Sequence, residues 1–526
     1  MSFTSHVFLA FLAVVVLLYF LVPLKYQWLV LLAGSLSFYY MAGKQFLPFI
    51  IGTAVISYTA ARLIDNKNEE TAAAAKNAAD KEAAKQIKTA GKNYCRRIMT
   101  VSLVLIIGYL CCTKFLNGAL RLLNHALNNQ AWTGIHLIVP LGISYYTFST
   151  VGYVLDIYWK RYKAEKNFLK YLLYVMYFPH IMLGPIARFD RLGKQLWAGH
   201  SFDYRRFCFG IQLMLWGFFE KLMIADRLGI FVGNVIDSWQ DKAGSVLLVA
   251  VLFYAAQIYT DFAGCVNIAM GMSQIFGIRL DENFRQPYFS RSVEEFWRRW
   301  HITLGAWFRD YLCMPVSVSA SVKKWSKSAR QKWGAQAGKN VTTIAALVAV
   351  WICTGAWHGT GLNYVLWGVW QCSIIVFSTL MEDRFKVIKT ALRINEQAAA
   401  WKLFQILRTF ILTGIIPRVV TRAPSLSAAW NIFVRILTDF KAGYLADGTL
   451  YQFGRGRMQF WLGIMSLLVL FLVSLCKEHG MSIRERIAGL NIVLRWGIYL
   501  AAFMAVAVFG VYGEGSNTAG FLYVRF

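Results

Sequence analysis

The sequence predicts an all-α polytopic membrane protein, and three observations carry that prediction. Hydrophobic residues fill 57% of its 526 positions and charged residues only 16%, which is too apolar and too sparsely charged for a water-soluble enzyme of this size. Apolar runs at residues 7–24, 98–115, 245–263, 341–357, 460–476 and 492–511 reach the roughly 18 to 20 residues needed to cross a hydrocarbon core of about 30 Å. The formal charge of +28 falls mainly in short segments between these runs, as the positive-inside rule expects, and not on one face as a nucleic-acid binder requires.

Taken in order, the first three spans (7–24, 26–42 and 46–64) are separated by short turns carrying Lys25 and Lys44. The N-terminus lacks a basic leader and a small-residue cleavage site, so the first run reads as a retained span. Residues 65–97 are rich in Ala, Lys, Glu and Asn and read as a basic helical excursion on the cytoplasmic side, which puts the N-terminus outside. A span at 98–115 follows. Residues 135–158 contain Pro140, Gly142, Ser144 and Thr147 and predict a bent or re-entrant helix. Residues 160–166 look cytoplasmic. The stretch 171–188 holds Pro179, His180, Gly184 and Pro185, and such breakers at membrane depth need burial in protein or a water-filled cavity.

Spans at 207–225 and 245–262 lead to residues 294–308, read as one amphipathic helix lying in or under the membrane. Residues 323–339 are basic and expected in the cytoplasm. Further spans are expected at 341–357 and 363–380, a weaker one at 404–416, a mixed connection at 418–456, and two more spans at the end. Lys477, Arg484, Arg486 and Arg495 place the last loop inside, so the tail 512–526 emerges outside. The whole chain, 1–526, reads as a single multi-pass domain with roughly 10 to 13 helices crossing or entering the bilayer.

Ionisable groups at membrane depth are costly, so each is a candidate for function. His358 directly follows an apolar run and is flanked by Trp357, Gly359 and Gly361, which leave room for a substrate; imidazole also suits a general base near neutrality. His301 sits beside Arg298, Arg299 and Trp300. Helical spacing puts Glu294, Arg298 and His301 on neighbouring parts of one face and makes Glu295 and Arg299 an i,i+4 pair; a merely solvated interfacial helix has the same pattern. Asp261 pairs with a cation, shapes a cavity or caps a helix end, and the sequence leaves these open. The nine cysteines include no Cys-x-x-Cys pair and the two histidines lack His-x-x-x-His spacing, so no disulfide framework and no metal is expected. Hydrolase elbows, Walker loops and dinucleotide fingerprints do not occur either.

The runs DFAG from Asp261, ENFRQPYFSRS from Glu282, EEFWRRWHITL from Glu294, WFRDYL from Trp307 and WHGTGLNYVLWG from Trp357, with PLGISYYTF from Pro140 and FPHIMLGPIARF from Phe178, occur in one order between residues 140 and 370. Together they resemble the membrane-bound O-acyltransferase (MBOAT) family, in its bacterial branch of alginate O-acetylation and teichoic-acid D-alanylation membrane proteins. The resemblance implies a helical bundle around a central tunnel, with residues 283–370 as the core motif region. It implies acyl transfer from the cytoplasm to an extracytoplasmic polysaccharide or cell-wall polymer across a bacterial cytoplasmic membrane. The donor is then acetyl-CoA or another acyl thioester, with no bound cofactor, and the acceptor side includes an extracytoplasmic esterase-like partner. His358 matches the family's catalytic histidine and His301 its second histidine. Asp261, Asn283, Trp300, Trp357, Asn363 and His180 become channel candidates, although His180 stands where related sequences commonly have Gln. At residues 317–321 a Ser-rich run replaces the Gly-Gly-Asn-Arg often found there. Phe521, Tyr523 and Phe526 resemble a terminal motif in which the Tyr relays the acyl group. Two alternatives stay open: D-alanyl transfer from a carrier protein to teichoic acid, and a transporter or polymer exporter without acyl chemistry.

Overall fold

The computed structural model describes residues 3–127 and 137–512. Tyr523, with Phe521 and Phe526, lies outside the described residues. Among those described, the chain is helical and forms no strand. Nine of its helices are long and apolar enough to cross a membrane, judged by length and composition. In one of them, Arg457–Glu478, the polarity runs opposite to that of a water-soluble helix. There the small or polar Gly463, Ser466 and Ser474 are buried, while Trp461, Met465, Leu468, Phe471 and Leu472 are exposed. Small inward residues let helices approach closely, and lipid accepts the outward apolar ones.

The chain divides into two compact units, one made of the chain up to Ile211 with Ala269–Asp281, the other of Gln212–Ile268 with the chain from Glu282. In the first unit, Leu47–Lys76 packs along Lys81–Ala126. Between them Asp80 caps the second helix by accepting a hydrogen bond from Ala83 N at 2.6 Å. The excursion expected at 65–97 is therefore the tip of a helical hairpin. Its helices touch at Gly91, where a Cβ would lie 2.2 Å from Thr71 Oγ1.

The bend expected in 135–158 is at Gly142, whose φ of 71° and close approach to the Ile181 carbonyl exclude a side chain. Helix Ile143–Tyr158 follows and is almost wholly buried. The breaker-rich stretch is buried too. Phe168–Met176 stops at Tyr177 and a single turn, Phe178–Ile181, follows. The freed backbone groups find partners inside the unit: Phe178 N donates to Ser35 Oγ at 3.2 Å, and the Tyr174 hydroxyl donates to Ala187 O at 2.9 Å.

The second unit departs from the sequence reading in two places. The weak span at 404–416 is a full one, Ala399–Arg422, so Arg418 belongs to a helix and not to the connection after it. A π-helical turn at Ile411–Ile415 absorbs the break before Pro417. Thr413 returns its hydroxyl proton to Thr409 O at 2.8 Å, which hides polarity that the sequence displays. The second correction concerns residues 294–308, which are two short helices, Val293–Arg299 and Ile302–Phe308, and not one amphipathic helix.

Candidate active site

The break between those short helices is where His301 sits. Asn283, fully buried, makes the break. Its carbonyl accepts from Ile302 N at 3.0 Å, and its Oδ1 accepts from Thr303 N at 3.2 Å and from Thr303 Oγ1 at 2.6 Å. Next to it, Arg285 N donates to Arg299 O at 3.0 Å, within an antiparallel bridge of Phe284 to Trp300. The segment that precedes the helices thus holds their junction from outside. His301 takes a left-handed conformation, φ 47° and ψ 53°, which costs a non-glycine residue about 1–2 kcal/mol and which these bonds offset. Glu294 and Arg298 therefore do not share a helical face with His301, because the helix ends between them.

The His301 ring is buried, with the Phe262 ring edge-on at 4.7 Å. Among the described residues neither ring nitrogen has a hydrogen-bond partner, and Asn283 Nδ2 has none either. Burial pushes the imidazole down to about 3, so at neutral pH it carries one N–H donor and one lone pair. A buried polar ring left unpaired costs about 1–3 kcal/mol, which a ligand or water joining it would recover.

His358 is the last residue of helix Ala335–His358, and Leu362–Leu380 returns almost at once. Two glycines allow this. A Cβ on Gly355 would lie 2.9 Å from Tyr364 O, and one on Gly368 would lie 2.7 Å from Trp351 O, so the two backbones run close beneath the histidine. The half-buried His358 ring meets Trp367 at 4.9 Å and Trp357 at 4.7 Å, both edge-on. The Trp357 ring also meets His301 at 6.1 Å. One indole therefore contacts both histidines. Trp297, Trp351 and Trp367 pack on one another behind it, and Trp297 Nε1 donates to Gln371 Oε1 at 3.2 Å. Asn363, half-buried, folds its Oδ1 back over Gly361 at the start of the returning helix.

Asp261 proves to be a cation's partner. Its carboxylate accepts from Lys221 Nζ at 2.6 Å, and Lys221 also lies 2.8 Å from Asp226, all three being buried. Lys221 occupies a π-helical turn, Phe219–Ala225, of the kind that often marks functional positions. Phe262, next in sequence to Asp261, is the residue packed on His301, so the charge cluster braces the helix behind that ring. Sequence reasoning passed over Lys221, although Glu220 and Lys221 inside the apolar run at 207–225 were a usable signal. The expected Glu295–Arg299 pair forms at 2.6 Å, and Glu478 joins it at 2.7 Å. Trp300 turns away from this pair to stack on Phe296. His180 belongs to the first unit, where Nδ1 meets Tyr177 O at 2.8 Å and burial pushes the ring down to about 4.

Comparison with known proteins points one way. The model of the membrane-bound O-acyltransferase family matches residues 165–416. The chain is 30% identical over 438 residues to a probable alginate O-acetylase, AlgI, of Pseudomonas aeruginosa, covering 82% of this chain and 74% of that one. It is 28% identical to the peptidoglycan O-acetyltransferase of Helicobacter pylori, covering 65% of this chain and 62% of that one. With the teichoic acid D-alanyltransferase of Bacillus subtilis it shares 30% identity over 48% of this chain and 62% of the other.

Proposed function

Because the chain belongs to the membrane-bound O-acyltransferase family and is a multi-pass membrane O-acyltransferase, we propose that it moves an acetyl group from cytoplasmic acetyl-CoA to a hydroxyl of an extracytoplasmic polysaccharide or cell-wall polymer, with His358 as the base. The observation that carries this reading is the Trp357 indole in contact with both the His301 and the His358 rings. In the proposed reaction an acceptor hydroxyl enters beside the half-buried His358 ring; the room the sequence suggests at Gly359 and Gly361 is occupied by the Tyr364 ring and by Asn363 Oδ1, which lie over these two glycines. The imidazole takes the hydroxyl proton as the oxygen attacks the thioester carbonyl. The C–S bond breaks, and the proton passes from His358 to the departing thiolate, giving an ester and free CoA thiol.

His301, neutral and short of a partner, supplies an N–H to the donor side, where it orients the thioester. The tryptophans keep water from the thioester, whose hydrolysis is the competing loss. Tyr523 is the proposed first acceptor, which then hands the acetyl group to an esterase-like partner outside the membrane. The orientation that goes with this has both chain ends outside, and it follows from the basic loops.

The test uses the purified full chain in detergent with acetyl-labelled CoA thioester. Label on the chain that requires His358 and disappears in Tyr523→Phe supports both transfer and relay. Label that persists in Tyr523→Phe removes the relay, and the absence of both label on the chain and turnover of any thioester with an added hydroxyl polymer sinks the reading. Carrier-bound D-alanine as the only productive donor would replace acetyl by D-alanyl.

A further inference from the structure

The last span, Ile492–Phe509, buries only Val506 along its length, yet its end is tied down by a buried arginine. Arg227 belongs to the span Tyr204–Ile236 and is only 6% exposed. Its hydrogen-bond partners among the described residues are neutral oxygens. Nε donates to Met223 O at 3.2 Å, and the other two guanidinium nitrogens donate to Gln459 Oε1 and to Phe509 O. A guanidinium taken from water at membrane depth is costly. Phe509 O is one of the last four carbonyls of its helix, which lack partners inside the helix and carry the negative end of its dipole. The cation and the helix end therefore satisfy each other.

A second tie comes from the same span. In an α-helix Asp226 N would bond to Leu222 O, four residues back. The π-helical turn Phe219–Ala225 sends Asp226 N to Lys221 O instead, and Leu222 O accepts from Val511 N at 3.1 Å. Beyond the helix, Gly510 N and the Tyr512 hydroxyl both donate to Val506 O, at 2.9 and 2.7 Å. The chain is thus fixed where its terminal segment begins. Tyr523 follows Tyr512 by eleven residues, a reach of at most about 40 Å. For so short a tether, the place of its root decides how often the tyrosine meets His358.

We propose that Arg227 is a positioning residue for the acyl relay: together with Leu222 O it fixes the root of the C-terminal segment, and so raises the local concentration of the Tyr523 hydroxyl at His358. Its guanidinium is committed to the oxygens that hold it and takes no part in the chemistry. The proposal rests on Tyr523 as the first acceptor, in the reaction given above, where the ester forms on the tyrosine oxygen and CoA leaves as the thiol.

The experiment gives acetyl-labelled CoA thioester to purified full chains in detergent and reads two rates. One is the labelling of Tyr523. The other is the labelling of a peptide of residues 521–526 added in excess, measured in a Tyr523→Phe background. Arg227→Met should slow labelling of Tyr523 by about fivefold or more, because a freed root lowers the local concentration, and should leave transfer to the peptide within about twofold. Val511→Pro removes the N–H given to Leu222 O, and the Gly510 before it, at φ −60° and ψ 153°, already has the extended backbone that precedes a proline. It should show the same split, and it decides the matter if Arg227→Met does not fold. An equal loss of both rates means a purely structural role and overturns the proposal, as does undiminished labelling of Tyr523 in the variants. Wild type that acetylates the peptide or an added hydroxyl polymer but never Tyr523 strikes the relay, whereas wild type that transfers nothing strikes the acyl-transfer reading itself; the proposal falls in either case.

Discussion

Replacing Lys221 by Met should be among the most damaging single changes away from the histidines, and charge counting says why. Its ammonium lies 2.6 Å from Asp261 and 2.8 Å from Asp226, and all three side chains are less than a tenth exposed. The cluster holds one positive and two negative charges. Removing the lysine leaves two carboxylates facing each other out of water, and breaking a buried pair in this way costs about 3–5 kcal/mol. Asp261→Asn leaves one lysine with one aspartate, a balanced pair, and should cost about 1 kcal/mol. The triple variant Lys221→Met, Asp226→Asn, Asp261→Asn carries no buried charge here and should recover most of the loss. The assay is the thermal midpoint of each purified variant in one detergent, with thioester turnover measured beside it. Lys221→Met should also lose turnover, since Phe262 on the braced helix packs on His301. Asp261→Asn destabilising as much as Lys221→Met, or a triple variant no better than the single one, refutes the reasoning.

Asn283→Ala should remove both Oδ1 bonds to Thr303, destabilise the chain by about 2–3 kcal/mol and lower turnover, whereas Thr303→Ser, which keeps both donors, should stay near wild type; similar turnover in both variants counts against Asn283 as the support of His301. Gly368→Val should place its Cβ against the Trp351 carbonyl, cost about 1–3 kcal/mol as an overpacked contact and displace the His358 turn, measurable as a lower midpoint together with lost thioester turnover. His301 has a folded value of about 3 against an ordinary 6.5, so the unfolded chain binds the extra proton between them. The stability it contributes is complete above pH 6.5 and is lost as pH falls toward 3. His301→Gln should flatten that part of the stability curve, leaving the smaller slope from His180, and an unchanged slope would contradict a neutral buried His301.

Much of the bundle was legible because lipid selects for long apolar runs, which a sequence displays directly. The span Ala399–Arg422 was obscured by Thr413, Pro417 and Arg418: the Thr413 hydroxyl donates within the helix, a π-turn absorbs the break before the proline, and the guanidinium lies over the Trp300 ring. The surroundings of His358 were partly legible, because its helix ending and its tryptophans are neighbours in sequence, but the Tyr364 ring and Asn363 amide that fold over Gly359 and Gly361 were not. His301 was legible as a candidate but its setting was not. Local periodicity over 294–308 favours a continuous helix, and the residue that breaks it, Asn283, lies 20 positions before Thr303 and acts through side-chain bonds. The same holds for Lys221, which meets Asp261 across 40 positions, and for Glu478, which meets Arg299 across 179. Charge partners of that kind come from packing and not from spacing.

The most direct test of the central claim is the rate of acetyl transfer from labelled acetyl-CoA by wild type and His358→Ala, purified as full chains at matched thermal stability, with label counted both on the chain itself and on an added hydroxyl polymer. A general base at this position should make the variant slower by about 100-fold or more. Transfer by His358→Ala within about threefold of wild type would contradict the assignment, because that is less than a lost proton acceptor costs.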